Sequence, residues 1–243
     1  MIDIMAFGAH PDDVEIFMGG SLLKFQDQGY QTAVCDLSRG ESGTHGSAKL
    51  RAREAEQAAA ILGLAVRETL DMPDSNIQCT RENKIKIIKI IRQYQPEIIC
   101  SFWGSTRHPD HNNTGCLVRE AAYLAGLKKI DTGQEPFRPS AFIGFPELRL
   151  YRRPDMVVDI TPFYEKKIAA IKAFSSQVKT SSQQESKQNK RKSLIRSDEF
   201  WEILNARSRM AGSFIDVKYG EPFMSKNPLK LLDPVKAFKK NIK

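Results

Sequence analysis

The sequence predicts an α/β protein: a mostly parallel sheet with helices on both faces, Rossmann-like in its winding. Three observations carry that expectation. Short apolar runs such as IDIMAF, QTAVCDL and PEIICSFW read as buried strands. They alternate with longer stretches of helical periodicity across the first two-thirds of the chain, the order that builds a parallel sheet covered on both sides. Polar, chemistry-bearing residues then follow two of these runs directly, where the carboxyl ends of strands place ligands in open α/β sheets.

The elements follow in order. Residues 2–7 form a short strand, and the segment from Val14 to Gln28 reads as a helix ended by Gly29. QTAVCDL (31–37) is the second strand, followed by the glycine-rich loop SRGESGTHGS. An alanine-rich helix runs from Ala48 to Leu62 and stops at Gly63, a normal C-terminal glycine. AVRETL (65–70) is strand-like, and DMPDSN is a turn. Ile85, Ile88 and Ile91 recur at helical spacing, with Ile87 and Ile90 broadening the stripe. PEIICSFW (96–103) is the next strand. Further on, SAFIGF, ELRLY and MVVDI are expected as strands, Pro162 to Phe174 as a helix, and 199–212 as another. Residues 179–193 are polar and poor in apolar side chains, which predicts a loop. No repeat or clean boundary divides the chain, so one domain over 1–243 with a C-terminal extension is expected.

Composition excludes some classes. The chain has 243 residues, 41% hydrophobic and 27% charged, ordinary values for a globular protein. No apolar run is long enough to span a bilayer, and MIDIMAFGAH lacks the basic leader of a secretion signal. Cys35, Cys79, Cys100 and Cys116 are widely spaced, and Cys35 and Cys100 sit in strand-like runs, where reduced, buried thiols are expected. A cytoplasmic location is the expectation. The net charge of +8 is localised: residues 1–178 carry 22 basic and 22 acidic side chains, and residues 179–243 carry 15 and 7. The patch of Lys187, Lys190, Arg191 and Lys192 has little aromatic interleaving, so nucleic acid is not the expected partner.

The stretch AFGAHPDDVE sets a chemical problem, since Asp12, Asp13 and Glu15 repel one another unless something positive offsets them. A solvated acidic turn would suffice, but His10 is a metal-ligand type and a cation would turn repulsion into attraction. A second cluster, RHPDHNN (107–113), follows PEIICSFW; taken alone it reads as a turn before a helix, with Asp110 as cap. If the first strand lies beside the fourth, as in the order 3-2-1-4-5, the two clusters face each other. Two histidines and a carboxylate with an open face are a catalytic metal arrangement. Three of the four histidines fall in these clusters; His45, in the glycine-rich loop, is expected at the surface. The same donors suit an Fe(II) oxygenase, which stays open as a rival reading.

AHPDDVE, SRGESGTHGSAKLRAREA and RHPDH together resemble the LmbE-like family of metal-dependent N-acetylglucosaminyl deacetylases. The closing segment ARSRMAGSFIDVKYGEPFMSKNPL resembles the branch acting in bacillithiol biosynthesis. The resemblance implies Zn2+, with Fe2+ or another divalent ion as substitute, held by His10, Asp13 and His111. It implies Asp12 as general base, His108 as the group stabilising the oxyanion, in protonated form, and Arg51 as a contact to an acidic aglycone. On a helix surface Arg51 would instead pair with Glu54. Glu41 and Arg107 flank the expected site as substrate contacts or loop residues, and Asp110 is expected to orient a ligand histidine from behind. The implied activity is hydrolysis of an N-acetylglucosaminyl conjugate, with N-acetylglucosaminyl-malate foremost. The implied partner is a small sugar conjugate, with no membrane and with room for a homo-oligomer.

Overall fold

The computed structural model describes residues 1–149, 153–179, 194–226 and 228. Five strands, β1 (Ile4–Gly8), β2 (Thr32–Asp36), β3 (Val66–Thr69), β4 (Ile98–Phe102) and β5 (Ala141–Phe145), form one sheet in the order β3-β2-β1-β4-β5. Every pairing in it is parallel, with Ile4 opposite both Thr32 and Ile98. The order reverses between β1 and β4, which opens a crevice at their carboxyl ends. Strand and helix alternate as the sequence predicts, and the expected 3-2-1-4-5 order is the observed one.

Helices α1 (Asp13–Asp27) and α2 (Ala48–Leu62) both pack on α5 (Tyr164–Lys172), whereas α3 (Arg81–Tyr94) packs on α4 (Pro109–Ala125). The helices therefore divide into two groups, as right-handed crossovers on either side of β1 require. α2 shows why its ends fall where they do. The Ser47 side chain accepts from the Leu50 N–H, and Gly63, at φ 67°, closes the last turn in the left-handed region. α4 lies close on β4 because Gly115 has no Cβ, which would stand 2.4 Å from the Phe102 carbonyl oxygen. That contact sets the position of His111, one turn earlier. Between sheet and helices lies a continuous core including Phe7, Val34, Ile88, Leu117 and Phe145.

The last third departs from expectation. MVVDI does form a strand, β6 (Met156–Asp159), but it pairs antiparallel with β7 (Gly220–Phe223) in a separate two-stranded sheet. Met224 then bridges Gly144 on the outer side of β5 through two backbone bonds of 2.9 and 2.7 Å, covering part of that edge. The strand expected over ELRLY is absent in its described part. Glu147 turns its carboxylate back onto the Leu148 N–H and across to the Arg107 N–H, bending the chain there. The helix expected from Pro162 begins as a 3-10 turn over Thr161–Phe163, and 199–212 lies within α6 (Asp198–Ser213). The basic patch and most of the C-terminal extension lie outside the described residues.

β7 has a second task. α1 is broken at Met18, whose φ of −147° and ψ of 17° are not helical. The break frees the N–H groups of Gly20 and Ser21, and Glu221 of β7 accepts from both, at 3.0 and 2.6 Å. Lys167 of α5 completes this buried knot at 2.6 Å from Glu221.

Candidate active site

The turn after β1 holds its side chains by backbone geometry. Asp13 opens α1 and turns one oxygen back onto the N–H groups of Ala9 and His10, at 3.0 and 2.8 Å. Its other oxygen lies 3.1 Å from His111 Nε2, and His10 Nδ1 is 3.5 Å from the first. Asp12 takes a φ of 119°, a strained value for a residue with a Cβ, and its side chain makes no cap bond to α1. The strain leaves that carboxylate facing the cavity. Asp12 accepts from Arg51 Nη2 at 3.2 Å.

The second cluster arrives from β4. His108, rather than Asp110, is the N-cap of α4: its Nδ1 accepts the Asp110 N–H at 3.2 Å. A helix start with proline next in line leaves the Asp110 N–H as a donor within reach of that ring. The Asp110 carboxylate is thereby free to accept from the N–H groups of Ser75 and Ile77 and to face His10 Nε2 at 3.2 Å. The ring of His111 stacks on Phe102 with centroids 4.1 Å apart, fixing its plane. Donor atoms of His10, Asp13 and His111 all lie within 4.8 Å of one another, as do those of His10, His108 and Asp110.

Charge explains the rest. Burial works against a charged His10, yet bonds to Asp110, Asp13 and Asp74 outweigh it and hold the imidazole well above its usual range. Burial likewise works to raise Asp13, but His111 and His10 hold its carboxyl well below the usual carboxylate range. Asp12 behaves oppositely. Burial pushes it up to about 7, Arg51 pulls against this, and Asp13 adds to it. His108 is lowered by burial, then by His111 and His10. Three carboxylates thus converge on His10 and call for positive charge, and the buried His111 Nδ1 has no hydrogen-bond partner. This donor set fits a divalent cation.

His10, Asp12, Asp13, His108 and His111 line a cavity of about 600 Å³. Arg51 lines it too, but not in the surface pair with Glu54 that helical spacing suggested. It is 4% exposed, and it donates to the carbonyls of Gly40 and Pro11 as well as to Asp12, leaving Nε without a partner. Glu54 instead binds Ser175 and Ser176. Gly40 is required here: at φ 65°, a Cβ would stand 2.1 Å from the Arg51 guanidinium. Arg107 lines the cavity as well. Glu41 does not; it is exposed and accepts from the Asp74 N–H at 2.9 Å, a loop-to-loop tie. His45, expected at the surface, is half-buried against the cavity. Asp74 is the residue that sequence reading missed. Its carboxylate lies 3.1 Å from His10 Nε2 and is held down at about 2, because bonds from His10 outweigh its burial. DMPDSN follows β3 at the same rim of the sheet, but a single carboxylate in an acidic turn does not stand out in the sequence.

The profile of the family described as PIG-L, GlcNAc-PI de-N-acetylase, matches residues 5–122, which include both clusters. The chain is 31% identical over 189 residues to the diacetylchitobiose deacetylase of Thermococcus kodakarensis, covering 72% of this chain and 69% of that one. It is 29% identical to the 4-oxalmesaconate hydratase of Pseudomonas putida, over 71% of this chain and 73% of that one. It is 26% identical to a probable N-acetyl-alpha-D-glucosaminyl L-malate deacetylase 2 of Bacillus anthracis, over 70% and 79%. Among solved structures, a conserved protein of Thermus thermophilus superposes with a TM-score of 0.85 at 31% identity, over 96% of this chain and 98% of that one.

Proposed function

Because the chain belongs to the PIG-L family of LmbE-like deacetylases, we propose that it is a divalent-metal-dependent hydrolase that removes acetate from an N-acetylglucosaminyl conjugate. The observation that carries this reading is the convergence of His10, Asp13 and His111 beside a fourth, strained carboxylate, Asp12, at one cavity. His10, Asp13 and His111 would hold the cation. A divalent ion there supplies a Lewis acid and makes a water acidic enough to attack at neutral pH.

The remaining steps belong to side chains. Asp12 takes the proton of the attacking water, a role suited to a carboxylate that is buried and raised. Arg51 keeps it oriented. His108 needs no positive charge for its part. With Nδ1 accepting from Asp110, its proton sits on Nε2, and the neutral ring donates to the tetrahedral oxyanion. The carbon–nitrogen bond then breaks and the amine leaves with a proton returned from Asp12. This replaces the protonated His108 implied by resemblance. The rim carries Arg107, Arg149 and Arg196, beside Glu147 and Glu199, which suits a conjugate bearing an acidic group. N-acetylglucosaminyl-malate remains the foremost substrate on that ground and on the Bacillus anthracis relative. Arg51 is buried and already donates to two carbonyls and Asp12, so Arg107 is the stronger anion contact of the two. Zn2+ is the foremost ion.

The Pseudomonas putida relative supports a second reading, in which the same site adds water to an unsaturated acid. Family membership favours either reaction over the Fe(II) oxygenase. The test of the first is kcat/KM for N-acetylglucosaminyl-malate, diacetylchitobiose and free N-acetylglucosamine. The malate conjugate is expected to lead, and Arg107→Ala to lower it selectively. A lead for diacetylchitobiose would move the aglycone to a sugar.

A further inference from the structure

Away from the active-site cavity, α4 carries a second group of donors. Cys116 and Glu120 stand one helical turn apart on its surface, with Cys116 Sγ 3.4 Å from Glu120 Oε1. Cys79, just before the Thr80 cap of α3, brings its Sγ to 3.8 Å from Glu120 Oε2. The three donor atoms lie within 4.8 Å of one another, and all three residues are partly exposed. Packing holds this arrangement in place. Asn113 on α4 donates to the Ile77 carbonyl at 2.7 Å, tying the Cys79 loop to the helix from which Cys116 projects. Lys84 sits 2.5 Å from Glu120 Oε2, the oxygen nearer Cys79, while Oε1 faces Cys116.

We propose that Cys79, Cys116 and Glu120 form a second cation site, selective for a thiophilic divalent ion. Two thiolates and one carboxylate are a donor set that prefers Zn2+ or Cd2+ to Mg2+ or Ca2+, and three protein donors leave one position for water. The His10, Asp13 and His111 donors contain no sulfur, so the two sites are chemically separable.

That difference provides the test. Cd2+ added to the reduced protein is expected to produce a thiolate-to-metal charge-transfer band that saturates at one equivalent. The band should persist in His10→Ala and vanish in both Cys116→Ser and Cys79→Ser, variants on two different elements. Glu120→Gln should weaken Cd2+ binding at least ~10-fold, since even partners outside the ligand set are worth that much. Absence of the band in the wild type, its survival in the double cysteine variant, or a Cys79–Cys116 disulfide that forms in place of metal binding would overturn the proposal. None of these outcomes depends on which substrate the active site takes.

Discussion

Two buried charge clusters touch the same short stretch of chain and are neutralised in different ways. Glu15 of α1 and Asp36 at the end of β2 are fully buried, and Arg67 closes on both. Its Nε and Nη2 grip Asp36 at 2.9 and 3.2 Å, and its Nη1 meets Glu15 at 2.5 Å. Burial still pushes Asp36 up to about 6, with Arg67 working against it. Two residues before Glu15 in sequence, Asp13 has no arginine. It faces two histidines, and Asp74 and Asp110 share one of them. A guanidinium cannot leave and cannot deprotonate, so the first cluster is structure. The second is balanced chiefly by imidazoles, which can give up their protons to make room for an exchangeable ion. That contrast separates a charged core from a working site.

The largest effect comes from breaking the second cluster. His10→Ala or His111→Ala should empty the cation site by elemental analysis and lower kcat/KM by at least ~10³-fold, the loss of several kcal/mol of charge stabilisation. Without metal, His10→Ala should also lower the unfolding midpoint, because the protonated imidazole offsets the carboxylates around it. Arg67→Met should spare the site and harm only the fold. It leaves two buried carboxylates without their cation, a cost of about 3–5 kcal/mol by denaturant unfolding, with metal content of the folded fraction unchanged. Asp12→Asn comes next. Metal occupancy should stay full while turnover falls at least ~10²-fold, because an amide cannot accept the proton. The smallest effect tests ordinary helix physics: Ser47→Ala should cost about 1 kcal/mol through its lost cap and leave kcat within a factor of two or so.

The same contrast marks what could be read from sequence. The central sheet was legible because each crossover is local, and because Gly63 and the apolar runs punctuate the chain clearly. His10, Asp13, His108 and His111 were legible as chemistry that follows strands. Asp74 was not, since one carboxylate in an acidic turn has nothing to distinguish it until its distance to His10 is known. Arg51 was read as an anion contact with Glu54 as its alternative neighbour, because helical spacing is the only neighbour rule a sequence offers. Its real partner, Asp12, is 39 residues away and reached only through the fold. β7 was missed for a similar reason: GEPF is short and contains proline, and it becomes a strand by pairing with β6, more than sixty residues earlier. The break at Met18 is followed by Gly19 and Gly20, a local warning, but its repair by Glu221 is tertiary.

Under the proposed function, the second cluster holds an ion for amide hydrolysis. The most direct measurement is product analysis on chelator-treated enzyme, before and after one equivalent of Zn2+ is restored, with an N-acetylglucosaminyl conjugate as substrate. Acetate and free amine should be absent before reconstitution and appear in a one-to-one ratio after it, in the wild type and not in His10→Ala. Undiminished release by the chelated enzyme, or turnover of an unsaturated acid with no amine from any conjugate, would contradict the account.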